Sequence, residues 1–377
     1  MGALMWRGLS SLQRRQSWRR FPTRKKSRGD CRLCKLIACA TKYSHWEFWP
    51  PWAAYAPLIP YGLWLAAKHR SITLFTATNP GIFASGLVGE SKSEILRHLS
   101  QAAEFIVVQR DPRAAEAFAA RVGYPVELKP DVGERGTNVA IMRNAAALRA
   151  SLKRAIGDVI VQRYVPGLEF GVSYCRYPNQ CRGRITSITE KRFPEVTGDG
   201  RSTIIELIQQ DSRAALIAEA YTKSCRRPMS DVPQAGEQVP LVEIGSHCRG
   251  TIFLDGTYLK TEALEAAIDG AAKEHPGFYL GRFDLRAASI EDLQAGRFAI
   301  LELNGVAGEA THIYDPRVSL LEAYRVIFGQ WRAAFEIGAL NRKQGAEPLL
   351  LRALCSLLLE GRTQDRDLGS MHHQNRG

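Results

Sequence analysis

The sequence predicts an α+β protein preceded by a basic tail and an apolar Trp/Pro-rich segment. Three observations lead to this prediction. The chain has 377 residues, of which 45% are hydrophobic and 24% charged, which is the composition of a globular protein of roughly two domains. From residue 71 onward, short β-type runs alternate with helical patterns. A mean hydropathy of -0.20 excludes a protein with many membrane spans.

Residues 1–45 are predicted to be a basic, disordered tail. Residues 1–30 contain nine Lys or Arg and one acid, so they contribute +8 of the formal net charge of +13. Such a tail suits phosphate backbones, anionic lipids or a targeting receptor, and a solvated extension is a further alternative. A nucleic-acid partner is not expected, because no recognition module accompanies the tail. A cluster of Cys31, Cys34 and Cys39 lacks a firm fourth zinc ligand, and the scattered other cysteines are typical of a reducing compartment.

Residues 46–70 are predicted to be a membrane-interface segment. Residues 48–67 carry no charge, and four of the seven tryptophans of the chain lie at 46, 49, 52 and 64. Four prolines at 50, 51, 57 and 60 argue against a continuous spanning helix, because each removes a helix hydrogen bond. Tryptophans beside basic flanks suit the headgroup layer. Packing against the protein itself and a true membrane span are the alternatives.

Residues 71–341 are predicted to form the folded body, followed by a C-terminal helix and a disordered end over 342–377. Asp111 before Pro112 is a helix start signal, Gly123 is a stop signal, and Thr203 with Glu206 has the spacing of a capping box. Strands are predicted at 72–76, 105–108, 125–129, 158–163, 169–175, 184–189, 279–286 and 298–303. Helices are predicted at 92–103, 112–122, 142–155, from about 203, and at 317–340.

Two of these strands carry a polar pattern of period two. Arg282 and Asp284 fall on one face of the first strand, and Glu302 and Asn304 share one face of the second. If the strands pair, two carboxylates, an amide and a guanidinium converge, and oxygen donors of this kind suit Mg²⁺ with a phosphate ligand. The alternative is that these residues line the wet face of a half-buried hairpin.

A second polar signal follows the strand that ends at Lys129. Pro130, Gly133 and Gly136 form a turn whose backbone N–H groups, together with a fixed lysine, suit a polyphosphate. Surface loops with two glycines are common, so this signal is weak alone. The sequence contains no GxxxxGK[ST], HExxH or GxSxG motif, which excludes the P-loop, zincin and serine-hydrolase classes.

Taken in order, the segments over about residues 89–315 resemble the ATP-grasp superfamily of carboxylate-amine ligases, such as D-alanine–D-alanine ligase, cyanophycin synthetase and bifunctional glutathione synthetase. The stretch KRFPEVTGDGRSTIIELI is similar to the RxPxxVxGDGxxTIxELI block of the latter two. The resemblance implies an ATP-grasp fold, in which two α+β subdomains clasp ATP. It also implies ATP and Mg²⁺ or Mn²⁺ as cofactors.

The resemblance assigns roles to individual residues. The implied nucleotide-binding residues are Lys92, Lys129, the loop Gly133, Glu134, Arg135 and Gly136, the hinge Gln162, Arg163, Tyr164 and Val165, and the ribose-binding acid Glu169. The implied metal ligands are Asp284, Glu302 and Asn304. The implied catalytic residues are Arg282, Arg192 and, with less support, Lys191. The implied substrate contacts are Gly308, His312 and Arg249.

Two departures from the family concern the substrates. Ala307 stands where the family usually has proline, and only about twenty residues separate the apolar segment from Lys92, which leaves no room for the usual preceding domain. The implied function is still an ATP-dependent ligase that joins a carboxylate to an amine or other nucleophile through an acylphosphate. The alternative is a membrane-associated ATP-binding sensor or scaffold. The expected location is cytoplasmic, with peripheral contact at the inner face of the membrane.

Overall fold

The computed structural model describes residue 46 and residues 49–133, 139–245 and 249–360. The strands are β1 (Phe105–Val108), β2 (Val126–Pro130), β3 (Ala140–Met142), β4 (Val159–Arg163), β5 (Leu168–Cys175), β6 (Arg184–Arg192), β7 (Glu195–Thr197), β8 (Gln238–Pro240), β9 (Ile252–Asp255), β10 (Leu280–Ala287) and β11 (Ala299–Asn304). The helices are α1 (Pro51–Ala54), α2 (Leu58–Lys68), α3 (Lys92–Leu96), α4 (Pro112–Val122), α5 (Ala145–Arg154), α6 (Ile204–Gln210), α7 (Ser212–Leu216), α8 (Ala218–Ser224), α9 (Glu262–Glu274), α10 (Ile290–Gln294), α11 (Leu320–Lys343) and α12 (351–360).

The strands form two main sheets and a small hairpin sheet. The four-stranded sheet has the order β1-β4-β2-β3, the five-stranded sheet has the order β11-β10-β5-β6-β9, and β7 pairs with β8. Every one of these neighbouring pairs is antiparallel. Antiparallel sheets with helices packed on one face are typical of the α+β class. The predicted fold class is therefore confirmed.

Helices α4 and α5 cover one face of the four-stranded sheet. Helix α4 begins as predicted, because the side chain of Asp111 accepts hydrogen bonds from the next backbone N–H groups and Pro112 occupies the first turn. It ends at Gly123, whose φ of +87° is a conformation that glycine adopts without strain. Phe118 of α4 and Leu148 of α5 are buried in the core cluster that they form with β2 and β4.

The five-stranded sheet has one apolar and one polar face. Its apolar face contributes residues such as Val172 and Phe283 to the largest core cluster, against Ile95 of α3 and Ile268 of α9. Period-two alternation then places Glu169, Asp284 and Glu302 on the opposite face, together with Lys191 of β6. This polar face carries the candidate site.

The N-terminal helices pack on the long helix α11. Leu58 and Leu65 of α2 are buried, whereas Leu63 and Trp64 on its other side are about half exposed, at 57% and 51%. A Cβ on Gly338 of α11 would lie 2.4 Å from a backbone oxygen of the short 3-10 turn Leu74–Ala77, so glycine is what permits this close packing. Within the described ranges, no helix combines the length and the apolar character that crossing a membrane requires.

Most predicted elements are present, and two predictions are wrong. Residues 72–76 do not form a strand: Leu74–Ala77 is a 3-10 turn buried on all sides, so its apolar run reflects burial and not a place in a sheet. The helix predicted over 92–103 ends at Leu96. The chain then turns so that residues near 102 form backbone hydrogen bonds with Ile300 at the edge of β11.

Candidate active site

The register of the five-stranded sheet brings the predicted charged residues together. Asp284 is directly opposite Glu302 on β11 and Gly171 on β5, and Arg282 is opposite Asn304. Glu169 on β5 is opposite Lys191 on β6. Directly opposite residues share a face in an antiparallel pair, so these side chains form one cluster.

Asp284 lies at the centre of this cluster. Arg282 donates from Nε and Nη2 to its two carboxylate oxygens at 2.9 and 3.0 Å, Asn304 Nδ2 donates to Oδ2 at 3.2 Å, and Lys191 Nζ lies 3.3 Å from Oδ1. Burial alone would raise the pKa of Asp284, but the charges of Arg282 and Lys191 outweigh burial and lower it well below its usual range. The carboxylate is therefore ionised at neutral pH.

A second buried acid, Glu169, binds two cations. Lys191 Nζ donates to Oε1 at 2.9 Å, and Arg286 donates to Oε2 at 3.1 and 2.9 Å. Burial raises the pKa of Glu169, but Lys191 and Arg286 lower it by more, so the net shift is downward. Arg286 also donates to the carbonyl of Val165 at 2.8 Å and lies over the ring of Tyr164 at 4.8 Å. The predicted hinge is thus connected to the polar face through Arg286.

Lysines link the two sheets across the site. Lys129 on β2 is buried, and its Nζ donates to Gln162 Oε1 at 2.7 Å and to the carbonyl of Leu301 on β11 at 2.9 Å. Lys92, the first residue of α3, lies 3.4 Å from Glu302 Oε1 and also donates to the carbonyl of Gly133. Both predicted nucleotide lysines therefore reach the strand that carries Glu302.

The fit of a metal to this cluster follows from the donor atoms. Asp284 and Glu302 supply carboxylate oxygens from facing positions, and Asn304 uses its amide nitrogen on Asp284, which leaves its amide oxygen as a further donor. This oxygen set suits Mg²⁺. In the part of the chain that the structure describes, no group of three or more His, Cys, Asp or Glu is placed to hold a metal. An ion here would therefore use two carboxylates and the asparagine.

Two implied catalytic residues on β6 have opposite surroundings. Lys191 is buried between Glu169 and Asp284. Arg192 points to the other face, is 62% exposed and pairs with Glu190 at 2.9 Å. The structure thus places Lys191 in the cluster and Arg192 outside it, because adjacent residues of a strand alternate between faces.

The other implied residues are more scattered. Gly308 is close to the cluster, since a Cβ there would lie 3.1 Å from the backbone nitrogen of Arg282. His312 is buried, which lowers its pKa, and its Nδ1 has no hydrogen-bond partner in the described part of the chain. Arg249 donates to the carbonyl of Val139 at 3.0 Å, beside β3. Exposed Arg163 ends β4. The loop residues Glu134, Arg135 and Gly136 lie outside the described residues.

Sequence reasoning missed two groups of residues. Arg286 continues the period-two pattern of Arg282 and Asp284, so extending the same argument by two positions would have found it. Glu309 was also missed: its backbone carbonyl accepts from Arg282 Nη1 at 2.7 Å, and Tyr55 OH donates to its carboxylate at 2.6 Å. No local pattern connects residues that are 254 positions apart.

No family model matches the chain. The cyanophycin synthetase of Geminocystis herdmanii (strain PCC 6308) is 35% identical over 102 residues, which cover 26% of this chain and 11% of that protein. The match therefore spans about a ninth of that relative. It confirms the resemblance that the motifs predicted.

Similar solved structures have low sequence identity to this chain. D-alanine–D-alanine ligase from Bacillus anthracis has a TM-score of 0.39 at 14% identity, covering 68% of this chain and 69% of that chain. A bifunctional glutathione synthetase from Pasteurella multocida has a TM-score of 0.35 at 14% identity, covering 63% of this chain and 35% of that chain. An L-amino acid ligase from Bacillus licheniformis has a TM-score of 0.35 at 15% identity, covering 63% and 43%.

Proposed function

We propose that the chain is an ATP-grasp enzyme that uses Mg-ATP, or Mn-ATP, to join a carboxylate to an amine or another nucleophile. The observation that carries this proposal is the continuous cluster between the two sheets. Lys129 from the four-stranded sheet and Lys92 from α3 meet β11 at Leu301 and Glu302. The cluster then continues through Asp284 to further cations on the polar face. Cationic side chains suited to phosphate thus lie beside acidic side chains suited to a metal ion.

Each residue has a defined part in this reaction. Lys92 and Lys129 bind phosphate oxygens, since their amines are held at the border of the two sheets. Asp284, Glu302 and Asn304 would hold Mg²⁺, which supplies positive charge to the phosphates when bound. Arg282 and Lys191 offset the negative charge that develops on the transferred phosphoryl group and on the tetrahedral oxygen.

The proposed reaction needs no nucleophile from the enzyme. A substrate carboxylate oxygen attacks the γ-phosphorus of ATP, the bond to the ADP oxygen breaks, and an acylphosphate forms. The amine then attacks the acyl carbon and loses a proton, and phosphate leaves with the former carboxylate oxygen. The described cysteines, of which Cys181 and Cys355 are exposed and unpaired, need no role in it.

The test is to trace the substrate carboxylate oxygen into the released phosphate. The protein is incubated with Mg-ATP and amino acids carrying ¹⁸O in their carboxylates, and the released phosphate is analysed by mass spectrometry. Phosphate with one labelled oxygen is the expected result. Phosphate with solvent oxygen alone would indicate ATP hydrolysis, and nucleotide binding with no ADP release from any substrate mixture would indicate a sensor or scaffold. Either result overturns the proposal.

Variants connect the reaction to the cluster. Asp284→Asn and Glu302→Gln keep side-chain shape and remove the charge that a metal requires, so we expect both to abolish labelled phosphate nearly completely. Arg282→Ala should reduce turnover on the order of a hundredfold. Lys191→Met should also reduce turnover, and Arg192→Met is its matched control because that side chain faces away from the cluster. Equal turnover of the two methionine variants would contradict the proposed site.

A further inference from the structure

Helix α2 presents an apolar stripe to solvent. Ile59, Leu63 and Trp64 are 41%, 57% and 51% exposed, and Trp52 of the preceding helix α1 is 66% exposed. Ile59 and Leu63, four residues apart, lie one above the other, and Trp64 lies about 100° further round the same exposed half of the helix. The opposite face is buried, as Leu65 shows. The stripe is therefore a surface of the folded protein and not a part of its core.

A basic pocket begins where this stripe ends. Its volume is about 480 Å³, and its basic residues are Lys68, His69 and Arg70 after α2, with Arg342 and Lys343 at the end of α11. Arg342 Nη2 donates to the carbonyl of His69 at 3.2 Å, which joins the two helix ends. The acid in the wall is Glu336, which accepts a hydrogen bond from Tyr177 at 2.7 Å. In the described part of the chain, no acid forms an ion pair with the four Lys and Arg side chains of this pocket.

Lys68 makes the stripe and the pocket continuous. Its side chain lines the pocket, and its Nζ lies over the Trp64 ring at 5.2 Å from the centroid. The surface thus changes from apolar to cationic within one turn of helix. A tryptophan with a lysine at its border is the arrangement expected for a protein surface at the level of lipid headgroups.

We propose that this surface docks on an anionic membrane, with the stripe of α2 in the headgroup layer and a lipid phosphate in the basic pocket. The charges favour this occupant over a second copy of the chain. A twofold contact through the same patch would bring the cations of one copy against those of the other. An anionic bilayer offers apolar chains to the stripe and phosphates to the cations.

The inference does not depend on the proposed catalysis. The basic residues of the pocket belong to α2, α11 and the segment that follows α2, and none of them is part of the Asp284 cluster. Membrane docking can therefore be correct in a protein that has no ligase activity, and the reverse also holds. Its test accordingly uses binding and not turnover.

The experiment is sedimentation of the full chain with vesicles of phosphatidylcholine alone or mixed with phosphatidylserine. The parent protein should bind the mixed vesicles. Leu63→Asn should weaken that binding on the order of tenfold, because it removes apolar burial. Lys343→Glu should remove the preference for phosphatidylserine. Leu321→Asn and Arg113→Glu are matched controls at exposed positions elsewhere, and they should bind like the parent.

Three results would overturn the proposal. If all variants bind vesicles equally, the basic tail of residues 1–45 and not this surface makes the contact. If inorganic phosphate raises the thermal midpoint of the parent but not of Lys343→Glu, while no variant binds vesicles, the pocket serves a soluble anion. If Leu63→Asn converts a dimer into a monomer in sedimentation velocity and vesicles are not bound, the stripe is an interface between copies.

Discussion

Replacing Tyr55 with Phe should weaken both the fold and the support of Arg282. Tyr55 OH donates to Glu309 Oε1 at 2.6 Å, and Tyr314 OH donates to Oε2 at 2.7 Å. Burial raises the pKa of Tyr314 well above its usual value, so its hydroxyl remains protonated and a donor at neutral pH. The backbone carbonyl of the same Glu309 accepts from Arg282 Nη1 at 2.7 Å. Glu309 thus connects Tyr55 of the N-terminal segment to Arg282 of the site.

The size of the effect follows from the bond that is lost. A hydrogen bond to a charged group contributes about 1.5–3 kcal/mol, and we expect the lower half of this range because Tyr314 still donates to Glu309. The free energy of unfolding of Tyr55→Phe should therefore fall by roughly 1.5–2 kcal/mol. Turnover should fall by less than in Arg282→Ala, since the arginine keeps its bonds to Asp284.

Urea unfolding and phosphate release measure the two effects. Tyr61→Phe is the matched control. Tyr61 lies in the same N-terminal segment, its ring contacts Trp64 and Phe328, and its hydroxyl forms no hydrogen bond with any residue that the structure describes. It should change neither quantity by more than a few tenths of a kcal/mol. If Tyr55→Phe and Tyr61→Phe have the same unfolding midpoint, the argument that Glu309 joins the segment to the site is wrong.

Two further predictions concern stability. Gly245→Ala should lower the free energy of unfolding by about 1–3 kcal/mol, because the new Cβ would lie 2.0 Å from Glu169 Oε1. Gly329→Ala should raise it by about 0.5–1 kcal/mol, because Gly329 lies in a helix with open space around it. Equal urea unfolding midpoints of the two variants would refute this. Burial alone would raise the pKa of Asp315, but hydrogen bonds from Arg317 outweigh burial and lower it to about 2. Its ionised form therefore stabilises the fold above about pH 4, so the stability lost in Asp315→Asn should be largest there and shrink as pH falls toward 2; a pH-independent difference in urea titrations would contradict it.

Period-two reasoning was sufficient for much of the site. Asp284 and Glu302 alternate with core residues along their strands, so the polar face of each strand could be predicted before the pairing was known. The choice between Lys191 and Arg192 could not be made in this way. Both are basic, and which of them faces Asp284 depends on the register of β6 against β5, which is set by contacts across the sheet and includes a bulge near Ser173.

Local sequence patterns also do not predict the structure of segments that pack against distant parts of the chain. The run that begins at Leu74 is apolar because α11 covers it, and composition alone does not distinguish a buried turn from a buried strand. The Trp/Pro-rich segment was predicted to lie at a membrane interface. The structure places Tyr55 and Leu58 in a core cluster with Tyr314 and leaves Trp52 and Leu63 exposed, so different side chains of one segment have different surroundings.

The position of Lys129 makes one ammonium group both a contact between the two sheets and a donor that a bound anion would share. An ammonium group has three donors, and Nζ directs two of them to Gln162 in its own sheet and to the Leu301 carbonyl in the other. A phosphate bound to the third donor would share one ammonium group with both sheets, whereas a phosphate that displaced the Leu301 carbonyl would remove this contact between them.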